Sequence, residues 1–357
     1  MSWHNKKFID FILLQRGHDL TKEQIIPGIY PVVTSTSIMG FHNTYKANGP
    51  GVVTGRSGTI GEVQYITENY WPHNTSLYVK DFKGNYPKFV YYFIKNFGTG
   101  RAKSGSAVPT LNRNNLSGID VKVPDYEIQV RIADILSSYD DLIDNSKKQI
   151  KLLEEAARMF YKEWFVDLCF PGYEDVEIVD GVPEGWNKEL IGNVIGKVSR
   201  TKQIKTTDYL LEGSIPIIDQ SRDFIAGYTN DSEALVNIGT PVIVFGDHTR
   251  ILKYIQFPFA KGADGTQLII SDRTNMPQSL LYLSLIAVDL SNYHYARHFK
   301  YLKAESILIP SQDVADEFDR LISPFFSQIQ KLREKCYKLI QARDHLLPKL
   351  MSGEIEV

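Results

Sequence analysis

The chain states one pattern twice, about half its length apart, and this constrains its fold more than any local signal. The first statement runs through Gly-Ile-Tyr-Pro-Val-Val at 28–33, Val-Val-Thr-Gly-Arg-Ser-Gly at 52–58 and His-Asn-Thr-Ser-Leu at 73–77. It continues through Tyr86-Pro87 and ends in Val-Lys-Val-Pro at 121–124. The second runs through Gly-Ser-Ile-Pro-Ile-Ile at 213–218, Val-Ile-Val-Phe-Gly-Asp-His at 242–248, Asp-Gly-Thr-Gln-Leu at 264–268, Met276-Pro277 and Ile-Leu-Ile-Pro at 307–310. The offsets agree: Pro31 to Pro216 is 185, Gly55 to Gly246 is 191, Thr75 to Thr266 is 191, Pro87 to Pro277 is 190 and Pro124 to Pro310 is 186. A period of this size is far above that of a solenoid repeat. It describes a duplicated globular unit, each copy followed by a helix, and such a protein suits a target with two halves.

Each copy reads as α+β and strand-rich. Short β-branched and aromatic runs at 52–53, 63–66, 77–79 and 119–123 are separated by glycine-bearing turns, and one helix is expected at 87–96 behind Pro87. The second copy predicts a helix at 277–290 and a strand at 306–309.

At Glu127 the apolar period changes. Ile128, Ile132, Ile135/Leu136, Tyr139, Leu142/Ile143, Ile150, Leu153, Ala157, Phe160 and Trp164 step by three and four, with one gap near Ser146. This is an amphipathic helix about 55 Å long at ~1.5 Å per residue. Val314, Phe318, Leu321/Ile322, Phe325, Ile329, Leu332, Cys336, Leu339 and Leu346 repeat the rhythm, with Pro324 expected to kink or split the second helix. Stripes this long need cover. The simplest cover is an antiparallel coiled coil of the two helices; the alternative is that each packs onto its own globular unit. The expected organisation is therefore a strand-rich domain at 1–125, a spacer helix at 126–170, a Pro/Gly/acid linker at 171–185, a second strand-rich domain at 186–310 and a C-terminal helix at 311–357.

Charge is segregated along that plan. Residues 1–125 hold 14 Lys and Arg against 8 Asp and Glu, residues 126–185 hold 6 against 14, and residues 186–310 hold 13 against 12. A polyanion would meet the globular units and be repelled by the acidic connector, with the near-neutral second unit relying more on shaped contacts. Cys169 and Cys336 read as buried thiols, and Trp3 and Trp186 as buried anchors where each unit begins. The apolar runs are too interrupted for a membrane span and the N-terminus lacks a cleavage pattern, so the expected location is the cytoplasm.

The motifs of chemistry are missing. His294 and His298 have no acid or cysteine nearby to complete a zinc site. The stretch 55–61 has no phosphate-loop lysine, and Pro124-Asp125-Tyr126-Glu127 has no following lysine for a metal-nuclease triad. Neither a methyl-donor glycine motif nor an Asn-Pro-Pro-aromatic loop is present. Two other classes stay open: a DNA-modifying enzyme fragment, and a helical tethering protein without a DNA role.

Taken together, the duplicated unit, the strand-Pro entry to each helix, Glu163-Trp164-Phe165-Val166-Asp167 with Phe170-Pro171-Gly172, and Val182-Pro183-Glu184-Gly185-Trp186 form a set. The terminal Leu347-Pro348-Lys349-Leu350-Met351-Ser352-Gly353-Glu354-Ile355 completes it. This set resembles the specificity subunit of type I restriction–modification enzymes over essentially the whole chain. Only the entrance at Trp3 lacks the Pro-x-Gly-Trp form seen before Trp186. The resemblance implies two target-recognition domains, each reading one half of an interrupted double-stranded DNA sequence, held apart by a helical spacer. It also implies two modification subunits docked on the helices, together with restriction subunits, and no membrane. S-adenosylmethionine, ATP and Mg would belong to those partners, leaving this chain without cofactor or catalytic site.

Phosphate contacts fall to Lys and Arg, and base edges to Arg, Asn, Gln, Ser, Thr and Asp. Candidates in the first unit are Thr34, Ser35 and Thr36; Arg56, Ser57 and Thr59; His73; and Arg101 with Lys103, from which a small-residue loop expected to order on DNA runs to Pro109. Those in the second are Asp219, Gln220, Ser221 and Arg222; Asp247, His248, Thr249 and Arg250; Lys261; and Arg297, His298 and Lys300 within the aromatic-basic stretch 293–303.

Overall fold

A computed structural model of the chain describes residues 2–55, 62–103, 116–293 and 297–357, the side chains of 98–103 excepted. The chain forms two compact units, one of Met1–Asn145 with Lys335–Val357, the other Ser146–Glu334.

In the first unit, β1 (Trp3–Lys7) pairs antiparallel with β9 (Asp120–Pro124), so the chain enters and leaves side by side. A short helix α1 (Phe8–Phe11) leads into β2 (Leu13–Arg16). The strands β3 (Pro27–Val33), β4 (Ile38–His42), β5 (Gly51–Gly55), β6 (Val63–Ile66), β7 (Trp71–Pro72) and β8 (Ser76–Asp81) follow. They make one sheet of order β2-β8-β5-β6 and another of order β4-β3-β7. The strand β5 is buried along its length, and a Cβ at Gly51 would lie 2.2 Å from the Tyr70 ring, so only glycine fits there. Helix α2 (Pro87–Lys103) packs Phe89, Val90 and Phe93 against Phe8 and Phe11.

The second unit opens with a small hairpin of β10 (Ile178–Val179) and β11 (Val182–Pro183). The strand β12 (Asn187–Leu190) leads into helix α4, as numbered after α3 (Tyr126–Tyr161), at Ile191–Val194. After β13 (Ile195–Gly196) come β14 (Ile215–Ile218), β15 (Gly227–Thr229), β16 (Leu235–Val236), β17 (Val242–Gly246), β18 (Leu252–Ile255), β19 (Phe259–Lys261) and β20 (Thr266–Ser271). Helices α5 (Gln278–Ala287) and α6 (Phe299–Ala304) precede β21 (Ser306–Ile309), which pairs with β12. The sheets have orders β13-β20-β17-β18 and β15-β14-β19-β16. Strand for strand this is the first unit's topology with β16 and the β10/β11 hairpin added, and the parallel neighbour pair recurs as β3/β7 and β14/β19. The register refines one equivalence. Gly55 faces Ser76 and Gly246 faces Thr266. The partner of Thr266 is thus Ser76, not Thr75, and both hydroxyls donate to the carbonyl three residues back.

The two long helices are α3 and α7 (Gln312–Ser352), α3 passing into a π-helical turn at Lys162–Val166. Within each unit they run antiparallel. In the first, Arg343 pairs with Asp140 and the Cys336 thiol donates to Ile143 O at 3.8 Å. In the second, Arg333 bridges Glu154 at 2.8 Å, Phe160 meets Phe325 and Phe165 meets Phe318. The helices pair antiparallel as expected, but neither packs only onto its own globular unit: each contributes to both cores. Ile132, Leu136, Leu347 and Leu350 share one core with Phe8, Phe11 and Phe89, while Ala157, Phe318, Ile322 and Phe326 share another with Phe245 and Leu280.

Several expectations are corrected. Pro324 does not split α7, because one lost backbone bond, costing ~3 kcal/mol, is offset by burial of Phe318, Ile322 and Phe326 around it. Helix α2 runs past Asn96 to Lys103; Gly98 and Gly100 cost roughly 1 kcal/mol each and do not end it. Helix α5 stops at Ala287, where Asp289 instead accepts the Ser291 N–H in a turn. Trp3 is only half-buried, lying on the β1 edge against Gly353, whereas Trp186 is buried against Phe165 and Phe170. Cys169 is exposed in the turn after the π-helical segment; Cys336 is buried.

The start of α3 is welded to the first unit by two buried amides. Gln129, 3% exposed, accepts from the Tyr86 N–H and donates to Asn85 Oδ1 and Pro124 O, while Asn85 donates to Phe11 O and Phe82 O. Removing Gln129 strands several buried polar groups. Gln129→Ala is expected to destabilise the first unit by about 1–3 kcal/mol while amide hydrogen exchange in the second unit stays unchanged.

Candidate nucleic-acid interface

In the second unit four loops meet at one end of the two sheets, and Gln220 ties three of them. Its amide donates to Asp264 O at 2.8 Å, its Oε1 accepts the His248 N–H at 3.1 Å, and its backbone O accepts the Thr249 hydroxyl at 2.7 Å. The turn after β17 is tight: a Cβ at Gly246 would sit 2.2 Å from Thr249 Oγ1. Arg250 closes that turn in the left-handed region (φ 60°), donating its N–H to Gly246 O and its guanidinium to Tyr293 O, each at 2.8 Å. A non-glycine residue held there is a strained position that its surroundings must fix.

Tyr293, His298 and Phe299 are bonded onto the same turn. Asp247 O accepts from the His298 backbone and ring Nδ1, both at 2.9 Å, and Asp247 Oδ1 accepts the Phe299 N–H at 2.8 Å, capping α6. The other ring nitrogen of His298 faces Tyr293 O at 3.1 Å. Asp219 accepts from the Ser221 N–H and the Tyr209 hydroxyl, with the Lys253 ammonium 3.9 Å away. Burial pulls that ammonium below the ordinary lysine range, with Asp219 and Asp223 acting in the opposite sense.

The candidate residues thus divide by role. Asp219, Asp247 and His298 are buried and committed to internal bonds, and Gln220 and Arg250 are committed to shaping the turns. Arg222, His248, Thr249, Arg297 and Lys300 are exposed around them, and Lys261 is half-buried. Lys253 was not foreseen; its place inside the otherwise apolar strand β18 is the signal that flags it.

The first unit builds its counterpart at the end of β3. The Thr34 hydroxyl donates to Ser37 O at 2.8 Å, and the Gln64 amide donates to Thr34 O at 2.8 Å, leaving Ser35 half-buried and Thr36 exposed. The His73 N–H donates to Val33 O, which sets it beside this turn, and its ring spans Thr75 Oγ1 and Leu20 O. Since Leu20 O only accepts, the facing ring nitrogen carries the proton. Arg56, Ser57 and Thr59, the loop from Ser104 to Pro109, His294, and the side chains of Arg101 and Lys103 lie outside the described residues. Among the described residues no three His, Cys, Asp or Glu are placed to hold a metal, and no helix is long and apolar enough to cross a membrane.

Residues 2–155 match the family model described as "Type I restriction modification DNA specificity domain", and the second unit repeats the topology of that matched region. The first unit thus carries a type I restriction–modification DNA specificity domain. Among similar proteins, the Methanocaldococcus jannaschii "Type I restriction enzyme MjaIX specificity subunit" is 26% identical over 76% of this chain and 69% of its own length. The Escherichia coli "Type I restriction enzyme EcoR124I/EcoR124II specificity subunit" is 24% identical over 50% of this chain and 48% of its own. The type I restriction–modification S subunit from M. genitalium has the same fold, with a TM-score of 0.62 at 16% identity, covering 98% of this chain and 96% of that one. A specificity subunit is the recognition component of its system and not the catalytic one.

If Gln220 is the tie between the turns, Gln220→Ala should speed hydrogen exchange at the His248 amide about tenfold, the loss expected for roughly one hydrogen bond. Arg222→Ala, two residues away and exposed, should leave it unchanged.

Proposed function

We propose that this chain is the specificity subunit of a type I restriction–modification system and reads an interrupted double-stranded DNA sequence, each unit recognising one half. The observation that carries this reading is the repeated sheet topology, in which β5 and β17 take the same place and end in a glycine facing Ser76 or Thr266. In the second unit the exposed Arg222, His248, Thr249, Arg297 and Lys300 are the contacts with DNA, and Asp219, Gln220, Asp247, Arg250 and His298 hold them in place. In the first unit the contacts come from the turn at 34–36, from Arg56, Ser57 and Thr59, and from Arg101 and Lys103, with His73 bracing the turn.

Helices α3 and α7 act as the spacer that sets the gap between half-sites, as dimer spacing does in other DNA readers. They also offer the surface on which two modification subunits dock, with restriction subunits joining the complex. Methyl transfer, with its S-adenosylmethionine, and ATP-driven restriction, with its Mg, belong to those partners. The subunit works in the cytoplasm, where the DNA to be read lies.

The test is a matched insertion of four residues in each helix, at 145/146 in α3 and 334/335 in α7. Four residues add ~6 Å of helix, close to two base-pair steps of ~3.4 Å. Methylome sequencing of a host carrying the complex should show the same bases in both halves and a longer gap, or lost modification. Altered bases with an unchanged gap would rule the spacer role out.

A further inference from the structure

The near balance of charge in the second unit conceals a basic edge. Residues 197–205 read Lys-Val-Ser-Arg-Thr-Lys-Gln-Ile-Lys, four cations and no acid. Much of the opposing negative charge is not available there. Asp219 and Asp247 are buried, Glu189 is paired with Arg273, and Asp231 and Glu233 both bind Lys202. Lys197, Arg200 and Lys205 are exposed, and none has a carboxylate within ion-pair distance among the described residues.

The segment is held against the loops described above. The Ile204 N–H donates to Lys261 O at 3.0 Å, fastening the segment to β19, and the Ile204 side chain is buried. The Gln203 amide donates to Gly262 O and Asp264 Oδ1, on the turn whose backbone Gln220 grips from the other side. An open hollow of about 560 Å³ lies between, lined by residues 203–207 with Ala263 and Asp264. Burial and the neighbouring Arg200 both press the Lys261 ammonium below its ordinary range, against the pull of Asp264.

We propose that Arg200, Lys205 and Lys261, extended by Lys197, form a track that grips the phosphate backbone of the DNA alongside the second unit's turns. This rests on the reading of the second unit as a DNA reader and adds to it the source of its affinity. The track carries no sequence information of its own; it sets orientation and salt dependence.

The experiment measures binding of the assembled complex to its methylated-motif duplex across a salt series. Each phosphate contact contributes about 0.9 to the slope of log K against log salt. The double variant Arg200→Ala/Lys205→Ala should flatten the slope by about 1.8 and weaken binding to all sequences equally. Arg200→Lys should keep the slope, and so should Lys202→Ala, whose cation is already neutralised within the protein. An unchanged slope in the double variant, with thermal stability and specific binding as in wild type, overturns the track and leaves the reader intact. A changed base preference overturns it too, since the residues would then contact bases. If the wild-type complex shows no preference for its motif over random duplex, the DNA-reading proposal itself falls.

Discussion

Two apolar helix stripes that cannot face water govern this architecture. Helices of 36 and 41 residues expose a seam that isolated helices cannot hold in solution. Each unit solves this alike: a stretch of α3 lies antiparallel to a stretch of α7, and both share a core with the unit's sheets and short helices. Ion pairs set at the seam, Asp140–Arg343 in one unit and Glu154–Arg333 in the other, fix the register of the helix pair. The Tyr92 hydroxyl also donates to Asp140, which brings α2 into the same junction.

From this frame the sheets place their turns. The buried central strands β5 and β17 end in glycine, each opposite the start of the next strand in its sheet, Ser76 or Thr266. In the second unit the loop after β17 is held from several sides. Gln220, Asp247 and Arg250 each bond inward to neighbouring backbone, so a small set of exposed side chains is presented on a braced base. Pre-organisation of this kind lowers the ordering cost of binding.

Much of this was legible in the sequence because it rests on periodicity. The duplication, the strand-rich units and the two helices follow from spacing, and Trp186 sits where its motif places it. What escaped depends on partners distant in sequence. Pro324 looked like a break, but its neighbours' burial outweighs one missing hydrogen bond. Thr75 looked like the equivalent of Thr266, and only strand register shows that Ser76 fills the place. The Asn85–Gln129 couple could not be read from a turn and a helix 44 residues apart. The same limit applies to the site: residue type suggested Asp219, Asp247 and His298, while their inward commitment appears only once the loops are packed.

The central claim is that each unit reads one half of the target on its own. It is tested most directly by replacing residues 186–310 with the corresponding stretch of a related specificity subunit that recognises a different sequence, keeping both helices. Methylome sequencing of a host carrying this chimera should show one half-site changed, with the other half and the gap retained. A motif altered in both halves, or unaltered in either, would contradict the account.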